Sequence, residues 1–521
     1  MLKKIGLGAL ALLVLAVLAV MTSRVLGIRI ALDGSGSRPR FVSRSPDYDA
    51  LEADRARQRA SATQQPSTPP ASTVDRPATT ASTEPAASSL EGTQQPPRNA
   101  SGRSATEAAS AIAAPDERRA ASSTSASAPE QWTDFRGPNR DGRYAGRIRT
   151  EWPQGGLPLL WKQPVGPGYA SFVAAEGRAF TIEQRRAQEV VAAYDVATGR
   201  ELWQQSWPGE FRESMGGDGP RATPTLHDGR LYVLGALGEL RCHDARTGAL
   251  VWRRNILADA GAANLNWGMA ASPLVIEGSD RANHVDDLVI VLPGGARGRS
   301  VAAYAAATGE LRWTALDDQQ AYTAPMLVTL GGVRQLLVVT ATRAVGLTPD
   351  GGALLWEYPW GNQQGISVAQ PLLLDGERIF LSGSYGLGAA VFEVARSGET
   401  FATRTVWRNT RMKNKFTSSL LRDGFIYGLD EAVLACLDAA TGDQKWKGGR
   451  YGYGQTLLAG DHIVVLTEDG DVVLVRATPE RHEEVARFPA ISGKTWNHPV
   501  IVDGRLLVRN ISEMAAFDIR P

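Results

Sequence analysis

An eleven-residue pattern returns through the later part of this 521-residue chain: AYDVATGRELW at 193–203, CHDARTGALVW at 242–252, AYAAATGELRW at 303–313, GLTPDGGALLW at 346–356 and CLDAATGDQKW at 436–446. Each copy places a glycine six residues after its start and a tryptophan four residues after that glycine. Two degenerate copies fill the gaps, FEVARSGETFATRTVW at 392–407 and LVRATPERHEEVARF at 474–488, where Phe488 takes the tryptophan place. Successive aromatic positions are 39 to 61 residues apart. A period of that size marks stacked supersecondary units rather than one continuous core.

The unit reads as β. Upstream of the copies, alternating or apolar runs are broken by two-residue turns at Asp228-Gly229, Asp375-Gly376, Asp423-Gly424 and Asp503-Gly504. Asp-Gly between such runs is a hairpin signal. The Thr-Gly of the repeat supplies the next turn, so each unit holds four antiparallel strands, A to D. Four strands at this period specify a β-propeller blade rather than a helical solenoid.

The count closes at eight. The final segment, MAAFDIRP at 514–521, is a third strand with no fourth after it, and LPLLWKQPVG at 157–166 is a fourth strand with no third before it. Joining them completes the last blade and leaves no free edge. The docking positions are then Trp161, Trp203, Trp252, Trp313, Trp356, Trp407, Trp446 and Phe488. A buried indole covers about 150–250 Å². The fold class expected is all-β: an eight-bladed propeller whose last blade is closed by N- and C-terminal strands.

The first quarter of the chain is a different material, since all 13 tryptophans lie at or after position 132. Residues 1–34 read as a signal anchor and its flank. Residues 5–21 carry no charge, follow Lys3 and Lys4, and come near the short end of a bilayer span. A cleaved signal peptide shares these features, but Ala19-Val20-Met21-Thr22-Ser23-Arg24 is a poor cleavage site. The expected location is a single pass of the cytoplasmic membrane, with the propeller in the periplasm or otherwise outside the cytoplasm. Residues 35–130, rich in Ser, Thr, Ala and Pro, cannot bury enough apolar surface to offset ordering and are expected to be a disordered linker. Residues 131–156 are expected to pack on the propeller.

Charge and cysteine counts exclude several functions. With 56 Lys+Arg against 55 Asp+Glu, nothing points to a nucleic-acid partner. Cys242 and Cys436 cannot form a zinc cluster or a haem attachment motif, and the six histidines show no metal-ligand spacing. No metal site is expected.

Aligning the starts of the first strands places Tyr169, Arg221, Tyr322, Phe416, Tyr453 and Trp496 at one end of the axis, with Trp267 close by. Such a funnel suits a planar or extended ligand, with one guanidinium to fork onto a carboxylate. The same aromatics would also serve as a plain plug of a wide channel, with Arg221 paired to Asp218. Asp218, in the Gly-Asp-Gly-Pro-Arg run, is the one isolated base candidate, although such a run is also ordinary turn chemistry.

The A-x-D-x-x-T-G-x-x-x-W pattern resembles the quinoprotein (PQQ-like) eight-bladed propellers, which include pyrroloquinoline-quinone alcohol dehydrogenases and the assembly lipoprotein BamB. Trp132-Thr-Asp-Phe-Arg-Gly-Pro-Asn-Arg-Asp-Gly142, Glu151-Trp152-Pro153 and the Gly217–Pro224 run look still more like bacterial PQQ-binding-like β-propeller repeat proteins. The resemblance implies two roles. One is a non-catalytic binding or scaffolding module facing a protein or polymer partner. The other is a PQQ-dependent oxidoreductase acting on an alcohol or sugar. The residues alone require no cofactor; the resemblance makes PQQ with calcium the group to test. The dehydrogenases it resembles carry adjacent cysteines beside the quinone, and this chain has none.

Overall fold

The computed structural model describes residues 29–32, 39–42, 48–63, 131–278 and 287–521. Eight antiparallel sheets follow one another, and in each the strands pair in the order A-B-C-D. The first strands are Val173–Ala175, Thr225–His227, Leu274–Ile276, Met326–Leu330, Leu372–Leu373, Leu420–Arg422, Gln455–Ala459 and Val500–Val502, which number blades 1 to 8. First strands of blades 8, 1, 2, 3 and 4 touch in turn around the axis, as do those of blades 6 and 7. Blade 8 takes its fourth strand, Leu159–Pro164, from the other end of the domain, with Ala516 opposite Trp161 and Phe517 opposite Leu159. The ring is therefore closed by the two ends of the globular chain.

Local chemistry builds each blade. The A–B turns at Asp228-Gly229, Asp423-Gly424 and Asp503-Gly504 put both residues at positive φ, as a type I′ hairpin requires. In the C–D turns the motif aspartate accepts from the threonine three residues on. Asp195 takes the Thr198 amide at 2.8 Å and its hydroxyl at 2.7 Å, and Asp244 does the same for Thr247.

The tryptophan docks on the next blade. Trp161, Trp203, Trp252 and Trp407 lie on Gly199, Gly248, Gly309 and Gly442, the Thr-Gly glycines of the following blade. Each donates its indole N–H to a carbonyl there, at Val196, Ala245, Ala306 and Ala439 respectively. A β-bulge sets this up. In seven blades the C–D ladder slips by one residue immediately before the tryptophan. The extra residue bends the strand and re-aims the ring. Trp356 departs from the pattern: its N–H goes to Gln335 of its own blade at 2.6 Å.

Blade 7 differs from the sequence reading. There the bulge falls before Ala486, which occupies the tryptophan register opposite Leu474. Phe488 stands two residues further along and meets Phe517 at 5.0 Å and Trp152 at 5.5 Å. The aromatic was placed by spacing, but the ladder slips at Val485, so the docking ring comes from the next pleat.

Residues 132–144 run along the axis. Trp132 bridges to Ala174 of blade 1, and Leu226 of blade 2 donates to Thr133. Arg140 donates to the carbonyls of Ser272, Pro273 and Pro325 on blades 3 and 4. Arg136 donates to Ser419 of blade 6 at 2.9 Å, and Arg143–Tyr144 pairs with the first strand of blade 7. Trp132 stacks on His498, just before blade 8, with ring centroids 6.2 Å apart. Only a segment on the axis reaches the inner strands of seven blades. Gly142 shows the tightness: a Cβ there would fall 2.4 Å from the Arg136 guanidinium.

The segment expected to be an unbroken disordered linker, 35–130, contains helix α1, Tyr48–Thr63. The Ala/Arg-rich stretch has good helix propensity, and Leu51 and Arg55 are buried. Average composition over 35–130 hid it. A short hairpin pairs Arg29–Leu32 with Pro39–Val42. The apolar run 5–21 lies outside the described residues, and among those described no helix is long and apolar enough to cross a membrane.

Candidate functional site: an aromatic cavity on the axis

The axial segment stops the channel and leaves a cavity of about 180 Å³ above it. Six of the seven residues read from the sequence line it: Tyr169, Arg221, Trp267, Tyr322, Phe416 and Trp496. Tyr453 is not in the lining and supports Phe416 edge-on at 5.5 Å. The loops are stitched to one another before each first strand. Tyr169 N–H donates to Pro220 and Tyr322 N–H to Ser367, both at 2.8 Å, each across to the next blade.

Sequence alignment of strand starts missed several walls. Phe135, from the axial segment, lines the cavity, with Met215, Ile366, Tyr385 and Gln455, beside His498 and Val368, whose strand-start position is equivalent to that of Tyr322. The Trp-Thr-Asp-Phe motif was the only available sign of Phe135. Two cations were also missed. Lys494 Nζ sits 3.7 Å from the centroid of Trp496 and donates to the carbonyls of Met215 and Gly216 at 2.9 Å. Lys415 Nζ sits 4.5 Å from the Tyr453 centroid. Each immediately precedes, or stands two residues before, a predicted aromatic.

Arg221 does not pair with Asp218 as the plug reading expected. Its guanidinium donates to the carbonyls of Gly219 at 2.5 Å and Gly217 at 2.6 Å. It lies 4.7 Å from the Phe211 centroid and 5.6 Å from that of Tyr169. Burial lowers its pKa, yet arginine stays charged in proteins. Asp218 instead accepts from the Glu213 amide at 3.2 Å and is absent from the cavity lining. That is turn chemistry, and it does not supply a base facing a ligand.

The phenols are acids too weak to act near neutrality. Burial pushes Tyr322 up to about 12, and burial together with Glu431 and Glu468 pushes Tyr453 up to about 12. Burial also raises Tyr169, whose hydroxyl donates to Gly216. His498 is packed between Trp132 and Phe135, with both ring nitrogens at backbone carbonyls, Pro499 at 2.7 Å and Thr456 at 3.0 Å. Burial, then the nearby Arg136, lowers it to about 3, so the ring is a neutral wall.

The donor set does not suit a calcium-bound quinone. Calcium takes about six to eight oxygens, carboxylates among them. The lining offers Gln455 and hydroxyls but no Asp or Glu. Among the described residues no three His, Cys, Asp or Glu side chains gather to hold a metal. Cys242 and Cys436 are separate, free and buried on third strands of blades 2 and 6. The remaining groups can stack, hydrogen-bond and attract an anion.

Eight bladed sheets, five of them docked on the next by an indole-on-glycine contact, closed by their own termini around a capped cavity, define a PQQ-like β-propeller. The family model described as "Outer membrane protein assembly factor BamB" matches residues 187–448, half of the chain, and the chain belongs to that family. No curated protein matches it in sequence. Among solved structures it is similar to the quinohemoprotein alcohol dehydrogenase ADHIIG of Pseudomonas putida HK5, with 14% identity, 75% of this chain and 80% of that chain covered, and a TM-score of 0.54. A europium-containing methanol dehydrogenase gives 12%, 75%, 98% and 0.54. BamB from Moraxella catarrhalis gives 17%, 69%, 99% and 0.48. At these identities the likeness to the two dehydrogenases is one of fold alone.

Proposed function

We propose that the protein is a non-catalytic binding module, tethered outside the cytoplasm, whose axial cavity takes an extended segment of a partner protein. The observation that carries this reading is the make-up of the cavity. Aromatic faces and the Arg221 guanidinium line it, Lys494 and Lys415 stand at its edge, and no carboxylate or poised base faces inward. Such walls bind by stacking and charge, and favour an aromatic or acidic side chain. The family's description as an outer-membrane assembly factor supports a protein partner.

A photo-crosslinking residue at Met215, which is 52% exposed on the cavity lip, tests this in cells. One discrete adduct is expected, lost in Trp496→Ala and Arg221→Ala chains that remain folded. Adducts unaffected by both substitutions would refute the cavity as the contact. The dehydrogenase reading is tested separately by adding PQQ and calcium to the purified chain. Quinone-dependent reduction of a dye by an alcohol or sugar would replace the binding-module reading.

A further inference from the structure

Helix α1 lacks an apolar face. Its sequence, YDALEADRARQRASAT, carries Leu51 as its one large aliphatic residue among alanines and charged or polar groups, and such a helix is not stable by itself. Two residues one turn apart are buried, Leu51 at 5% and Arg55 at 0% exposure. What orders the helix is therefore the place where Arg55 goes.

That place lies between the outer strand of blade 8 and blade 1. Arg55 donates to the Pro164 carbonyl at 2.5 Å and lies 5.2 Å from the Tyr194 ring centroid. Its Nε is 3.9 Å from Glu201, which also pairs with Arg59. Gln58 accepts from the Glu201 amide at 3.0 Å. Inside, Arg185 is shared by Glu183 and Glu201, at 2.5 Å from each. Burial opposes the charge on Glu183, but Arg185, Arg509 and hydrogen bonds outweigh it and hold its pKa below the usual value.

Blade 1 leaves the repeat here. Two residues before the docking tryptophan, blades 8, 2, 3 and 4 carry Leu159, Leu250, Leu311 and Leu354, all 46% exposed or more. Blade 1 carries Glu201, fully buried. Its ion-pair partner within the blade, Arg185, is shared with Glu183, so a carboxylate at that depth gains from further cations. The helix brings two.

We infer that this notch is a binding site for arginine carried on a helix, and that α1 occupies it in cis as a detachable latch. The proposal does not depend on what the axial cavity binds. Latching also changes the tether. Were residues 5–21 held in a membrane, positions 22–47 alone would separate membrane from propeller, about 26 residues instead of about 110.

The test uses the full chain and hydrogen–deuterium exchange of amides 51–59. The wild type should show slow exchange. Glu201→Gln and Arg55→Ala/Arg59→Ala should each accelerate it at least about tenfold, and trypsin should then cut within 55–59. The double variant alters only the helix, so its propeller should still unfold in one cooperative transition, at most a few degrees below the wild type. A fluorescent peptide of residues 46–64 should bind the double variant, whose notch is vacated, and not the wild type. The same peptide with Arg55→Ala should fail. Protection that survives the double substitution, or a vacated notch that ignores the peptide up to about 1 mM, overturns the inference.

Discussion

Trp161 of blade 8 lies on Gly199 of blade 1, so close that a Cβ on Gly199 would sit 2.5 Å from the ring, and its N–H reaches the Val196 carbonyl at 2.9 Å. These two residues close the propeller, because Trp161 lies on the one strand borrowed from the far end of the domain. Trp161→Ala should cost about 3–5 kcal/mol, the usual range for a buried tryptophan. Trp313→Ala should cost at least about 1 kcal/mol less, since Trp313 is only half-buried and its N–H has no hydrogen-bond partner. Urea denaturation of both variants measures the difference; equal losses would mean that ring closure does not depend on this contact.

Arg140 holds the axial segment in place. It donates to three backbone carbonyls and to Thr225, and ion-pairs with Asp134 at 2.9 Å. Arg140→Met keeps the length of the side chain but orphans those acceptors. A loss of roughly 3 kcal/mol or more is expected, with faster hydrogen exchange across 132–144. A loss below about 1 kcal/mol would show that the segment is held by its ladder and aromatic contacts instead.

Acid should weaken the fold through two histidines. Burial lowers His498 from 6.5 to about 3 and His243 from 6.5 to about 4. As pH falls through 6.5 the unfolded chain binds a proton at each ring while the folded chain does not. The stabilising difference is thus fully present above pH 6.5 and declines below it, by at most about 1.4 kcal/mol per pH unit for each group. His498→Asn should flatten the fall in stability between pH 7 and pH 5, as read from denaturation at both values. An unchanged slope would place the proton uptake elsewhere.

Lys494 ties the 213–218 loop to the loop before blade 8 through the carbonyls of Met215 and Gly216. One bond is exposed and the other only partly buried, so Lys494→Ala should change global stability by no more than about 1 kcal/mol. Local exchange of amides 213–218 should rise several-fold. If those amides are unaffected, the loop is held by Glu213, which accepts from Met215 at 2.8 Å and from Gly216.

The blades were legible because their determinants are local. Asp195, Thr198, Gly199 and Trp203 sit within one turn and one strand, and spacing alone reveals them. The closing of blade 8 was legible too, since an unpaired third strand and an unpaired fourth strand remained at opposite ends. Five of the six funnel residues that align at strand starts line the cavity for the same reason: equivalent repeat positions occupy equivalent places in a ring. Phe488 was misplaced by one pleat, because a bulge does not change residue spacing.

The chain's repeat, through turn chemistry and the β period, determined the blades, their number and the ring's closure. Tertiary structure alone decided that Phe135 would line the cavity, that Arg221 would face glycine carbonyls rather than Asp218, and that Arg55 would enter the notch at Glu201. Each of those pairings joins residues whose partners are chosen by distance in space and by the cost of burying a charge alone, and neither leaves a period in the sequence.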